Sequence, residues 1–174
     1  CASRAGGVYT CVGDPEMRER PYEGLIHALE SQGASFVFHE KPGHLPFTVY
    51  GASLSGGKMM VDARASSQFV SALLLVGPTA SSPCYVDAPE VRPAFIRLTL
   101  EVMRQFGATA WRDVDSGICQ VEPGGYRTPP SVYPVEPDAT AASYFLALPR
   151  VTGGHIAVRG LRRNMLQGDT AFCD

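Results

Sequence analysis

Residues Asp62 to Val76 read DARASSQFVSALLLV, and the reading of this run decides the fold. Ser66, Ser67 and Gln68 stand directly before an apolar stretch too continuous for a surface helix. Such a stretch implies a buried helix whose polar beginning faces something. Serine hydroxyls at a helix start can accept hydrogen bonds from the free backbone N–H groups. The same end carries a positive partial charge that favours phosphate. A cap alone and an anion site are both open readings of Ser66-Ser67, and the rest of the chain decides between them.

The stretch has an echo. Asp62-Ala-Arg-Ala-Ser-Ser-Gln-Phe69 and Asp138-Ala-Thr-Ala-Ala-Ser-Tyr-Phe145 share D-A-x-A-x-S-x-F at a spacing of 76 residues. Arg20-Pro21 leading to Gly33-Ala34 returns, at nearly the same offset, as Arg92-Pro93 leading to Gly107-Ala108. Two independent anchors with similar periods imply an internal repeat. In the second copy Ala142 and Tyr144 replace Ser66 and Gln68, so only the first copy keeps the polar set.

Outward from these anchors, VYTCVGD (Val8 to Asp14) is a β-prone run ended by a turn. PEMRERPYEGLIHALESQG carries Leu25, Ile26 and Leu29 at helical spacing, with Gly33 as C-cap. SFVFHE, PFTVYG and GGKMMVDAR read as strands before the Ser66 helix, which Gly77-Pro78 stops. PCYVDAPE is a strand, RPAFIRLTLEVMRQFGA an amphipathic helix, and TAWRDVD and ICQVEPG two strands. SVYPVEPD is extended, ATAASYFLAL a second apolar helix with Asp138 placed to cap it, and HIAVRG a closing strand. The expected unit is strand, helix, strand, helix, then two strands, repeated about twice. This is an α/β arrangement in which both apolar helices lie inside, with sheets around them. No Pro/Ser-rich linker interrupts it, so residues 1–174 read as one domain body.

Composition limits the function. Hydrophobic residues at 45% and charged residues at 18% describe a globular chain with a sizeable core. A formal net charge of -2, without interleaved basic and aromatic residues, argues against a nucleic-acid partner. No apolar run of about 20 residues argues for a membrane span. Arg outnumbers Lys 13 to 2, and the planar guanidinium suits carboxylates and phosphates. Cys1, Cys11, Cys84, Cys119 and Cys173 are odd in number and widely spaced. His27, His39, His44 and His155 lack ligand spacing. Disulfide and zinc frameworks are therefore not expected, and a reducing, cytoplasmic setting is. Beginning at Cys1 and ending at Asp174, the chain reads as an excerpt.

GDPEMRERP (Gly13 to Pro21), SSQF (Ser66 to Phe69), VEPDATAASYF (Val135 to Phe145) and NMLQGD (Asn164 to Asp169) occur in a fixed order. In that order and spacing the chain resembles the 5-enolpyruvylshikimate-3-phosphate synthase family along essentially its whole length. The resemblance implies part of one domain of a two-domain enolpyruvyl transferase, built of βαβαββ units with helices inside and sheets outside. About two of the three units are present, and the chain stops near the interdomain hinge at Gln167-Gly168-Asp169. It implies transfer of the carboxyvinyl group of phosphoenolpyruvate to the 5-hydroxyl of shikimate 3-phosphate. This transfer uses neither a metal nor an organic cofactor.

By the same resemblance Ser66 and Ser67 hold the shikimate phosphate, Gln68 reaches both substrates, and Arg20 binds phosphoenolpyruvate. A glutamine amide both donates and accepts, and a guanidinium grips an anion bidentately. Arg18 reads as a solvated charge. Arg92 stands where the family has serine and Phe95 where it has tyrosine, so a guanidinium and an apolar ring replace two hydroxyl contacts. No catalytic residue is assigned within the chain. The G-x-A-G-T-x-x-R motif and the second domain lie outside it, so the chain alone is expected to be inactive. Exposed apolar faces make self-association an expectation. The competing readings are the UDP-N-acetylglucosamine enolpyruvyl transferase of the same fold and a phosphate-binding module without the reaction.

Overall fold

A computed structural model describes residues 6–64, 66–89, 91, 93–129 and 131–173. They fall into two compact units, Cys1–Thr128 and Pro129–Asp174. The first unit opens with β1 (Val8–Cys11), α1 (Pro15–Arg18), α2 (Glu23–Glu30), β2 (Ser35–Phe38) and β3 (Phe47–Tyr50). These strands pair antiparallel in the order β1-β3-β2. There follow β4 (Gly57–Met60), α3 (Gln68–Val76), β5 (Cys84–Asp87), α4 (Pro93–Gln105), β6 (Ala110–Arg112) and β7 (Cys119–Val121). They form a second sheet, β4-β5-β7-β6. In it β4 and β5 are parallel and the other pairs antiparallel. A parallel pair needs a crossover connection, and α3 supplies it.

The internal repeat is visible in the topology. The run β5-α4-β6-β7 copies β1-α2-β2-β3, including the sheet order in which the last strand lies between the other two. Their helices also end alike. Ala34 N–H bonds the Leu29 carbonyl at 3.2 Å, and Ala108 N–H bonds the Met103 carbonyl at 3.0 Å. Gly33 and Gly107 take the left-handed backbone, at φ 94° and 79°, that these helix ends require. The first unit therefore contains one complete βαβαββ run, from β4 to β7, preceded by the last four elements of another.

The apolar sequence of α3 is buried as its composition demands. Val70, Leu73 and Leu74 are 0% exposed, and they share one core with Met59, Cys84, Val86, Cys119 and Val121 of the second sheet. Burial of each such side chain contributes about 1.5–3 kcal/mol. The alternate strand residues Lys58, Met60, Tyr85 and Trp111 are exposed. In this unit the helix is inside and the sheet outside.

The second unit contains α5 (Ala139–Thr152) and a 3-10 segment (Gly168–Cys173). Asp138 caps α5 as expected, its carboxylate accepting Ala141 N–H at 3.0 Å. The Gln167 side chain accepts Ala139 N–H at 2.8 Å and donates to the Pro137 carbonyl at 2.7 Å.

Two expectations are corrected here. Only Ala139 and Ala142 of α5 are buried, whereas Tyr144, Phe145, Leu148 and Val151 are exposed, so the second apolar helix does not lie inside. HIAVRG, His155 to Gly160, forms no strand. The cause is common to both: among the described residues this unit holds no strand ladder, so neither a helix-covering sheet nor a pairing partner exists.

Candidate functional site

Three strand-to-helix connections carry the residues singled out in the sequence. Arg20 lies between β1 and α2, Ser66 and Ser67 lead from β4 into α3 with Gln68 as its first residue, and Phe95 lies in the first turn of α4. Arg92 falls outside the described residues.

The β4–α3 connection is built from its own side chains. Val61 N–H bonds the Asp87 carbonyl at 3.1 Å, which carries the parallel pairing one residue past β4. The Asp62 carboxylate then turns onto Arg64, accepting its backbone N–H at 3.1 Å, Nε at 3.0 Å and an Nη2 proton at 2.6 Å. These hydrogen bonds, the side-chain ones first, hold the Asp62 carboxyl down to about 2 from an ordinary 3.8. Asp62 is thereby spent on Arg64, and α3 begins six residues after it, at Gln68.

At that start the Ser66 hydroxyl accepts Gln68 N–H at 3.1 Å, so the capping reading of Ser66 is correct as far as it goes. Ser67 is the N-cap residue by position and makes no side-chain cap bond. Ser66 and Ser67 are half-buried and Gln68 is exposed. The first turns of α3 and α4 contain no acidic residue of their own that would neutralise the positive end of the helix dipole. This arrangement can receive an anion through backbone N–H groups, hydroxyls and an amide.

The helix starts are held together by packing. Gly24, in the first turn of α2, lies so close to the Asp62 carbonyl that a Cβ there would stand 2.4 Å from it. Tyr22, the N-cap of α2, sets its ring 6.4 Å from that of Phe69 and 6.2 Å, edge-on, from that of Phe47. The Ser71 and Thr99 hydroxyls meet at 2.8 Å, joining α3 to α4, and Thr99 also donates to the Phe95 carbonyl at 2.9 Å. Arg20 is exposed, and its guanidinium makes no hydrogen bond or ion pair among the described residues.

Arg18, two residues earlier, is occupied. It donates to the Gly13 carbonyl at 3.0 Å and pairs with Glu40 at 3.1 Å, so it ties the loop together. Phe95 is 51% exposed and offers only its ring.

Burial raises the Tyr22 phenol pKa, with the positive charge of Arg20 opposing it and Asp14 reinforcing it. The Tyr22 hydroxyl oxygen is buried without a hydrogen-bond partner among the described residues. A cleft of about 340 Å³ is lined by Gly24, His27, Asp62, Arg64 and Asp87 among others. A second, of about 470 Å³, is lined by Pro15, Arg18, Glu19, Glu40, Lys41 and Leu45. Neither of these two is lined by Ser66, Ser67, Gln68 or Arg20. No three His, Cys, Asp or Glu side chains gather among the described residues as they would around a metal.

Sequence reasoning missed Gly24, Tyr22 and the Asp62–Arg64 clamp. The D-x-R spacing could have revealed the clamp, because an arginine two residues on competes for the aspartate that would otherwise cap.

The family model for EPSP synthase (3-phosphoshikimate 1-carboxyvinyltransferase) matches residues 1–174. A 3-phosphoshikimate 1-carboxyvinyltransferase of Opitutus terrae is 42% identical over 177 residues, covering 100% of this chain and 41% of the relative. One of Photorhabdus laumondii is 40% identical over 164 residues, covering 93% and 38%. The chain thus spans about two fifths of the length of these curated relatives. The solved EPSP synthase of Acinetobacter baumannii superposes with a TM-score of 0.68 at 24% identity, over 84% of this chain and 32% of that one, and attests the fold. With a family model matched from end to end, the chain belongs to the EPSP synthase family.

Proposed function

We propose that the protein carrying this chain transfers the enolpyruvyl group of phosphoenolpyruvate to the 5-hydroxyl of shikimate 3-phosphate. The single observation that carries the reading is the start of α3, where Ser66, Ser67 and Gln68 stand at an acid-free helix end. Ser66 and Ser67 hold the shikimate phosphate against that end, and the positive dipole and hydroxyl donors give it charge-assisted hydrogen bonds. Gln68 uses its amide toward both substrates. Arg20, uncommitted to any carboxylate among the described residues, grips phosphoenolpyruvate.

In the reaction the 5-hydroxyl oxygen bonds to C2 of phosphoenolpyruvate as C3 gains a proton and the hydroxyl loses its own. The tetrahedral adduct then expels phosphate from C2 and a proton from C3, restoring the double bond. This chain supplies binding and orientation, which bring reacting atoms into register. The groups that move protons belong to the rest of the protein, so the chain alone is inactive. That it spans about two fifths of its relatives supports this division. The free thiols of Cys11, Cys84 and Cys119 support a reducing, cytoplasmic setting. The exposed α5 side chains Tyr144, Phe145, Leu148 and Val151 support self-association of the chain.

Titration of the labelled chain with shikimate 3-phosphate tests the binding role. The amides of Ser66, Ser67 and Gln68 should shift, and silence at millimolar ligand removes the reading. Phosphate release from the two substrates by the purified chain would overturn the claim that it is inactive alone. Light scattering that shows a strict monomer at high concentration would count against self-association.

A further inference from the structure

Gly24 is in the first turn of α2 with an ordinary helical backbone, so conformational freedom does not explain a glycine there. Space does. A Cβ at Gly24 would meet the Asp62 carbonyl oxygen at 2.4 Å, its carbon at 3.4 Å and Cδ2 of Phe69 at 3.5 Å. A backbone oxygen cannot swing aside as a side-chain tip can, so any larger residue must push the β4–α3 connection away from α2.

The two elements meeting at this point each carry one half of the proposed site. Arg20 lies four residues before Gly24, and Ser66 to Gln68 lie between Asp62 and Phe69. The segments on both sides are held locally. Tyr22 N–H bonds the Gly43 carbonyl at 2.8 Å, which anchors the start of α2. On the other side Asp62 hydrogen-bonds Arg64, and the Tyr22 and Phe69 ring centroids lie 6.4 Å apart alongside. Little slack remains to absorb a displacement, because close-packed contacts transmit strain.

We infer that Gly24 is a positioning residue that sets the separation between the Arg20 loop and the Ser66–Gln68 helix start, and so lets two ligands be held at once. This rests on the functional reading above. Gly24→Ala should leave shikimate 3-phosphate binding to Ser66 and Ser67 largely intact, because that contact needs one side only. It should weaken phosphoenolpyruvate binding to the shikimate 3-phosphate-saturated chain, on the order of tenfold or more, because that contact needs Arg20 and Gln68 together.

The experiment is an NMR titration of the 174-residue chain with shikimate 3-phosphate and then phosphoenolpyruvate. It follows the Ser66–Gln68 amides, the Gln68 side-chain amide and the Arg20 Nε–H. Gly33→Ala serves as control. Gly33 has φ 94°, so alanine there strains the fold, yet its Cβ would meet only Ala52, at 3.6 Å. The inference holds if Gly24→Ala loses the second response while keeping the first, and Gly33→Ala keeps both. It fails if both responses of Gly24→Ala stay within twofold of wild type, or if Gly33→Ala loses the second response equally. A wild-type chain that answers neither ligand removes the functional reading, and the inference with it.

Discussion

The starts of α3 and α5 carry the same string, D-A-x-A-x-S-x-F, and fold differently. At α5 the Asp138 carboxylate accepts Ala141 N–H at 3.0 Å and the helix begins at the next residue. At α3 the Asp62 carboxylate is taken by Arg64, and the helix waits until Gln68. The third residue of the string, Arg64 against Thr140, accounts for the difference. A guanidinium two residues away offers the carboxylate stronger, charge-assisted partners than a helix N–H. The delay leaves Ser66 and Ser67 outside the first turn instead of within it. The lesson is that a repeated capping string starts its helix at a different place where an arginine competes for its aspartate.

The contrast can be attacked at its packing first. Phe69 is 7% exposed and its counterpart Phe145 is 61% exposed. Phe69→Ala should therefore cost about 3–5 kcal/mol, and Phe145→Ala no more than about 0.5 kcal/mol. Urea unfolding of both variants measures this, and equal losses would erase the distinction between an inside and an outside helix.

Next in size is the effect on ligand. Ser66→Ala with Ser67→Ala should weaken shikimate 3-phosphate binding by on the order of 10- to 100-fold, the worth of one or two hydrogen bonds to a charged group. Ser143→Ala at the echo should leave the affinity unchanged. Calorimetric titration of each variant decides, and a ligand indifferent to the serine pair would leave the α3 start as a cap only.

A smaller change is expected from the caps themselves. Asp138→Ala removes the α5 cap and should lower local stability by about 1 kcal/mol, read as faster amide exchange in the first turn of α5. Asp62→Ala should leave exchange in the first turn of α3 unchanged, since Asp62 caps nothing there.

The finest test is to convert one copy into the other. Arg64→Thr frees Asp62, and secondary chemical shifts should then show helix beginning before Gln68. The same variant should return the Asp62 titration from about 2 toward 3.8. The folded value lies below the ordinary one, so the stabilisation from this pair is fully present above about 3.8. It disappears as pH falls toward 2, and Arg64→Thr should lack that acid-dependent part. Carboxylate carbon shifts followed through this range provide the measurement.

Much of this was legible in the sequence, and for local reasons. The continuous apolar run after Gln68 announced a buried helix, the Gly33-Ala34 and Gly107-Ala108 pairs marked two equivalent helix ends, and Asp138 was read as a cap. Each depends on neighbours within a few residues, which a linear pattern displays. The exposed face of α5 and the missing strand at His155 to Gly160 were not legible. Apolar composition states what a segment can bury, while the presence of a covering sheet depends on other segments.

By itself, then, the sequence determined the α/β alternation, the repeat, the family and the polar set Ser66, Ser67 and Gln68. Only the tertiary structure decided that Arg18 is committed to Glu40 while Arg20 is not, and that Gly24 sits against the Asp62 carbonyl. The physical reason is competition. A carboxylate, a guanidinium or a gap can serve only one of several nearby partners, and which one is within reach is settled when distant stretches of chain pack together.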